Sequence, residues 1–106
     1  MKNILLTGAT GFVGRQIVKA LSQQNVNIIA VVRPGKEINF KKITNIKKII
    51  SSQDIFKENE NWWTNHCKGI DTIIHAAWYA EPGKYLQSSK NVDCLIGSLH
   101  LARGAA

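Results

Sequence analysis

Acidic residues, cysteine and proline are all scarce in this chain of 106 residues: 7 Asp or Glu stand against 14 Lys or Arg, with 2 Cys and 2 Pro. No unbroken apolar run exceeds the five residues of Ile28 to Val32, far short of the roughly 18 that a membrane-spanning helix requires. Met1-Lys2-Asn3 leads directly into a short strand-like run, unlike a secretory signal. Cys67 and Cys94 have no neighbouring cysteine at metal-ligand or redox spacing, and no Asn-x-Ser/Thr acceptor occurs. No metal site is expected, and the setting that follows is a reducing, cytoplasmic one without membrane attachment.

The charge is lopsided, with a formal net value of +7 and an isoelectric point near 9.7. Such a balance raises the question of a nucleic-acid partner. Five lysines fall between Lys36 and Lys48, but they spread over a loop and a strand with no stacking aromatics interleaved. A solvated face is the reading they support, and nucleic acid is not the expected partner. What the chain does have is apolar content: 44% of its residues are hydrophobic and 20% charged, enough for one packed domain.

Punctuation and periodicity divide the chain into alternating elements. Ile4-Leu5-Leu6 is a short apolar run that ends at Thr7-Gly8, as in a strand buried on both faces. From Gly11 the period changes, and Val13, Ile17, Ala20 and Leu21 recur at helical spacing. Ile28 to Val32 reads as a second buried strand, stopped by Arg33-Pro34-Gly35. Ile46 to Ser51 gives a third. A helix over Ile55 to Cys67 would bury Phe56 and Trp63, with Gly69 ending it in the left-handed conformation. Thr72 to Ala77 is a fourth strand, and Glu81-Pro82-Gly83 breaks the chain after it. The last segment sets Val92, Leu95, Ile96, Leu99 and Ala102 on one helical face. Strands alternating with helices predict an open parallel sheet covered by helices on both faces. In such sheets ligands bind at the carboxyl edge of the strands.

The segment Thr7-Gly8-Ala9-Thr10-Gly11-Phe12-Val13-Gly14 lies between the first strand and the first helix. Gly8 permits a tight turn out of the strand, Gly11 lets the backbone approach a ligand, and Gly14 lets the helix pack close to the sheet. Free amides at Gly11 to Val13, with the positive end of the helix dipole, favour a pyrophosphate. The bland alternative is a glycine-rich turn without a ligand, but the strand before and the helix after supply the context that a dinucleotide site requires. Other residues converge on the same edge. Asp54 is placed to accept from an adenine amino group while the amide of Ile55 donates to the ring; a helix cap is a compatible role for Asp54. Ala76 and Ala77 are small where phosphates and ribose would cross the sheet edge. His75, on an otherwise apolar strand, reads as a hydrogen-bonded core histidine rather than a proton shuttle. Arg33 ends the second strand, where NAD-specific folds hold an acid for the ribose 2′-hydroxyl. Guanidinium donors suit a 2′-phosphate instead, so NADP is preferred over NAD. Arg15 and Lys36 are weaker candidates for the same phosphate.

The octet from Thr7 to Gly14 resembles the Thr-Gly-x-x-Gly-Phe-x-Gly signature of extended short-chain dehydrogenases/reductases, the NAD-dependent epimerase/dehydratase family. Asp54-Ile55 after the third strand, Asp71 to Ala77, and Gly97-Ser98 with Leu99, Leu101 and Ala102 keep the family's order. The resemblance covers essentially the whole chain. It implies a Rossmann-type doubly wound parallel sheet, amino-terminal half only, with Gly8, Thr10, Gly11, Phe12, Val13, Gly14, Arg33, Asp54, Ile55, Ala76, Ala77 and Trp78 around the dinucleotide. It further implies a nucleotide-sugar epimerase, dehydratase or reductase as the full-length protein, with a nucleotide-sugar substrate and room for a homodimer. Trp78, with Tyr79, is then placed to wall the nicotinamide or substrate site.

The chain departs from the family in three respects, one of them Trp78, which after the Ala pair is bulkier than the residue many relatives carry. Where the family's helix carries Asn before Gly-Thr, this chain has Cys94, and Asn91 lies one turn earlier. The family's catalytic Tyr-x-x-x-Lys does not occur: Tyr79 is followed by Lys84 and Tyr85 by Lys90. No catalytic residue is therefore assigned in residues 1–106, and the expectation is a partial NAD(P)-binding domain whose remaining strands and substrate domain lie outside this chain. The competing reading is a non-catalytic dinucleotide-binding sensor or scaffold module.

Overall fold

The computed structural model describes residues 1–36, 40, 42–78 and 88–106. Four strands, β1 (Lys2–Thr7), β2 (Val26–Val32), β3 (Ile46–Ser51) and β4 (Thr72–His75), form one sheet in the order β3-β2-β1-β4. Every pairing is parallel. The chain runs outward from β1 through β2 to β3, then returns to lay β4 on the other side of β1. That reversal creates a switch point at the carboxyl ends of β1 and β4, the place where open parallel sheets leave a crevice for ligands.

The central strands are apolar on both faces, and both faces are buried. Leu5 and Leu6, adjacent in β1 and therefore on opposite faces, have no exposed surface, and neither has Ile28 or Ala30. Helix α1 (Phe12–Leu21) covers one face through Val18, which packs in a cluster with Leu6, Ala9, Ala30, Val32 and Phe40. The helical face differs from the one its periodicity predicts. Val13 is 58% exposed and Ala20 is exposed, whereas Val18 and Gly14 are buried. Val13 belongs to the opening turn of the helix, beside the exposed Phe12. At the outer strand β3 a register shift against β2 leaves Lys47 and Lys48 both exposed. Lysines on an edge strand discourage further pairing there.

The described chain forms two compact units, residues 1–53 with 69–77, and residues 54–68 with 78–106. The first holds the sheet and α1. In the second, the single helix expected over residues 55–67 is two pieces: a one-turn 3-10 helix (Ile55–Lys57) and α2 (Glu60–His66). Two competing caps cause the break. The Asp54 carboxylate accepts from the Phe56 amide at 3.0 Å, and the Asn59 side chain accepts from the Trp62 amide at 2.9 Å. Trp63 is fully buried as expected, while Phe56 is only partly so. Gly69 adopts φ +76°, the left-handed conformation its position calls for.

Helix α3 (Lys90–Ala105) reverses the expectation for its buried face. Cys94, Gly97, Leu101 and Gly104 are buried, whereas Val92, Leu95, Ile96 and Leu99 stand about half exposed, at 57, 53, 48 and 52%. The reason is contact distance. A Cβ at Gly97 would collide with the backbone of Phe56, and one at Gly104 would lie 2.7 Å from the Glu60 carbonyl oxygen. Small residues let α3 approach α2 and the 3-10 turn more closely than leucine or isoleucine would permit, and Thr64 Oγ1 donates to the Gly104 carbonyl at 3.1 Å.

Candidate functional site

The glycine turn leaves β1 at Thr7 and enters α1 at Phe12. Gly8 has φ +72°, a conformation that costs an L side chain roughly 1–2 kcal/mol. Space is equally restrictive, since a Cβ there would lie 2.6 Å from the Ala77 nitrogen and 2.8 Å from the Ala76 carbonyl carbon. Gly14 is held under the turn rather than against the sheet, and a Cβ on it would overlap the Gly8 carbonyl oxygen. The turn is thus closed from both sides by glycines for steric reasons alone.

Its hydrogen bonding corrects one expectation. The Gly11 amide is committed to the Gly8 carbonyl at 3.1 Å, and the Gly11 carbonyl accepts from the Arg15 amide at 2.9 Å. The amides open to an anion are therefore shifted by one residue, to Phe12, Val13 and Gly14, which find no acceptor among the described residues. No side chain caps this helix end, and its first turn carries no acid. Three unpaired N–H groups and the positive end of the helix dipole converge there. Phe12 and Val13, 85 and 58% exposed, flank them with apolar surface.

The sheet register brings further sequence-predicted residues to the same edge. Thr7 is opposite Val31 in β2 and His75 in β4. Arg33, just past the end of β2, is exposed and starts a turn closed by the Lys36 amide on the Arg33 carbonyl at 3.2 Å. Ala76 and Ala77, just past β4, lie on the glycine turn. Next to Thr10, a cavity of about 450 Å³ runs between Arg15, Lys19 and Ser22 on one side and Phe40 and Ile43 on the other.

Asp54, Ile55 and Trp78 belong to the second unit. Asp54 spends one oxygen on its cap, and the Ile55 amide has no acceptor among the described residues. Trp78, 47% exposed, is fixed at two points: Nε1 donates to Oδ1 of Asn91 at 2.7 Å, and Phe56 packs edge-on at 6.3 Å between ring centres. Asn91 in turn donates to the Ser88 carbonyl at 3.2 Å. Cys94, at the position of the family's Asn, is buried, and its carbonyl accepts from Ser98 Oγ at 2.7 Å. Tyr79 lies outside the described residues.

Sequence reasoning missed two partnerships. One is the grip of Asn91 on Trp78. The other is a 2.6 Å contact between Thr7 Oγ1 and His75 Nδ1, beside which the Ala77 amide donates to the same hydroxyl oxygen at 3.3 Å. Register alone reveals it. Burial holds the His75 imidazole below its ordinary pKa, favouring the neutral ring. Among the described residues no cluster of His, Cys, Asp or Glu is arranged to hold a metal ion, and no helix is long and apolar enough to cross a membrane.

Comparison with known proteins places this geometry. An epimerase family protein of Staphylococcus saprophyticus is 29% identical over 99 residues, which are 90% of this chain and 28% of the relative. Among solved structures, UDP-N-acetylglucosamine 4-epimerase from Bacillus cereus superposes with a TM-score of 0.72 at 21% identity, over 98% of this chain and 33% of that one. Yeast methylglyoxal/isovaleraldehyde reductase, solved with NADPH, superposes with a TM-score of 0.67 at 22% identity, over 93% of this chain and 32% of its own. These likenesses show a Rossmann-like α/β fold, and the chain spans 28% of the length of that staphylococcal relative. The model of the NAD dependent epimerase/dehydratase family matches residues 4–102, and the chain belongs to that family.

Proposed function

We propose that this chain is the dinucleotide-binding portion of an NADP-preferring epimerase, dehydratase or reductase that acts on a nucleotide-activated sugar. One observation carries the reading: three amides without acceptors among the described residues at the start of α1, beside the switch point between β1 and β4. No side chain fits at Gly8 or Gly14, so the turn keeps its backbone close to the place a pyrophosphate would take.

The residues divide the work by chemistry. Phe12, Val13 and Gly14 donate backbone N–H groups to the pyrophosphate, with Thr10 beside them; Gly8 and Gly11 keep the approach open. Arg33 donates to a ribose 2′-phosphate, and Arg15 stands in reserve for it. The second Asp54 oxygen accepts from the adenine amino group while the Ile55 amide donates to the ring. Ala76 and Ala77 leave room at the sheet edge, and the anchored Trp78 indole walls the nicotinamide end against water. Bound there, the dinucleotide supplies hydride transfer at a carbinol carbon. The proton-moving Tyr-x-x-x-Lys pair, the substrate domain and any contacts of a homodimer belong to the longer protein in this proposal.

Isothermal titration of this 106-residue chain with NADPH and with NADH tests the reading. Saturable binding, tighter for NADPH, is expected; no binding of either at millimolar concentration overturns it.

A further inference from the structure

Thr7 and His75 face each other at the ends of β1 and β4, directly at the switch point. Thr7 has no exposed surface, yet its oxygens serve three partners. The carbonyl accepts from the Ala76 amide at 3.2 Å, the hydroxyl oxygen accepts from the Ala77 amide at 3.3 Å, and the same hydroxyl lies 2.6 Å from His75 Nδ1. A hydroxyl has one hydrogen to donate. With Ala77 occupying an acceptor position, donation to Nδ1 is the use of the buried Thr7 hydrogen that this geometry offers, and it corresponds to an imidazole protonated on Nε2.

The consequence reaches the glycine turn. Two anchors on one residue hold Ala76 and Ala77 where no Cβ fits at Gly8, and the Gly8 carbonyl holds the Gly11 amide just before the three open N–H groups. A continuous set of contacts therefore runs from the imidazole through the hydroxyl and the Ala77 backbone to the rim of the anion site. The strand pairing of β1 with β4 is made by backbone groups, so the side-chain pair adds orientation to a register that exists without it.

We propose that Thr7 and His75 form a positioning pair for the dinucleotide: Nδ1 orients the Thr7 hydroxyl, and the hydroxyl fixes the Ala77 backbone against Gly8, setting the mouth above the open amides. The proposal rests on the dinucleotide reading of the glycine turn. Neither residue touches the phosphates; both act through Ala77.

The test pairs disruptive with conservative substitutions in the 106-residue chain. Thr7→Val keeps shape and removes the hydroxyl, whereas Thr7→Ser keeps the hydroxyl. His75→Leu removes the acceptor, whereas His75→Asn retains one near the Nδ1 position. NADPH dissociation constants from calorimetry are expected to rise about tenfold for Thr7→Val and His75→Leu, as for one lost hydrogen bond, and to stay within about threefold for Thr7→Ser and His75→Asn. Imidazole nitrogen shifts of the unmodified chain, read by NMR, should show the Nε2–H tautomer and need no variant to fold. Unchanged affinity in Thr7→Val, no rescue by Thr7→Ser, or an Nδ1–H tautomer overturns the proposal while leaving dinucleotide binding intact. Failure of the unmodified chain to bind NADPH or NADH overturns the dinucleotide reading, and this proposal with it.

Discussion

The carbonyl of Gly8 fills the space into which a side chain at Gly14 would project, so the glycine turn and the first turn of α1 meet backbone to backbone. Neither side of that contact can retreat: Gly8 is pressed from the other direction by the backbone of Ala76 and Ala77. Gly14→Ala therefore forces main-chain displacement, and the expected loss is about 1–3 kcal/mol, large beside the roughly 5–15 kcal/mol that keeps a small domain folded. Urea unfolding followed by tryptophan fluorescence gives the measurement; a midpoint equal to that of the unmodified chain contradicts the packing.

Gly11 differs, and the difference separates folding from binding. A Cβ there would come no closer than 3.4 Å to the Gly8 carbonyl, and φ is an ordinary −77°. Gly11→Ala should change stability by less than about 1 kcal/mol, yet it adds a methyl group beside the open amides. Dinucleotide affinity is expected to fall about tenfold or more, the equivalent of about 1.4 kcal/mol. Matched urea midpoints and titration curves decide it, and a Gly11→Ala chain that binds as tightly as the original removes Gly11 from the site.

Acid should weaken the fold through His75. The folded chain holds this imidazole below its ordinary pKa because burial penalises the charged ring, whereas the unfolded chain titrates at about 6.5. Between the two values the unfolded state binds more protons, so stability falls as pH drops through about 6.5, levels off below the folded value, and is complete above. Protonation also leaves the Thr7 hydroxyl without an acceptor. The difference in urea midpoint between the original chain and His75→Asn, followed from about pH 8 to about pH 5, isolates this contribution from the other histidines. A difference independent of pH refutes it.

Helix α3 yields a prediction against propensity. Alanine is about 1 kcal/mol better than glycine in a helix interior, but Gly97→Ala places a methyl group on the backbone of Phe56 and should destabilise the chain. Leu99→Gln, on the half-exposed face, should change stability by no more than about 0.5 kcal/mol. Urea midpoints of the two variants give the comparison. Were the leucines the packed face, the two results would exchange places.

That contrast shows what is legible in this sequence. Runs such as Leu5-Leu6 and Ile28 to Val32 declare themselves because a parallel strand buried on both faces needs apolar residues without interruption, and β3 falls on residues 46–51 as read. The glycine turn is legible because its spacing has one steric purpose. The face of α3 is not, since hydropathy weights leucine over glycine while close approach between helices rewards the reverse. The break between Ile55–Lys57 and Glu60–His66 is hidden because Asp54 and Asn59 are both good caps, and which of them starts the helix depends on packing. The bonds of Thr7 to His75 and of Asn91 to Trp78 join residues 68 and 13 apart. No local pattern encodes such pairs; strand register supplies the first, and tertiary packing the second.

Arg33 offers the most direct test of cofactor choice. It follows the last residue of β2, is exposed, and its position is fixed by the turn that the Lys36 amide closes on the Arg33 carbonyl. A guanidinium there gains a charge-assisted bond from a 2′-phosphate and nothing comparable from a 2′-hydroxyl, whereas an aspartate accepts from the hydroxyl and repels the phosphate. Loss of such a bond is worth about 1.5–3 kcal/mol, so Arg33→Asp should weaken NADPH binding by roughly ten- to a hundredfold. NADH binding should hold or improve, because the new carboxylate finds a donor. Exposure and salt moderate the size of the effect but not its sign, and raising ionic strength should narrow the gap between the two cofactors in the original chain. Calorimetry with both dinucleotides reads the ratio: an Arg33→Asp chain that keeps its preference for NADPH would assign the 2′-phosphate to Arg15 or to another cation.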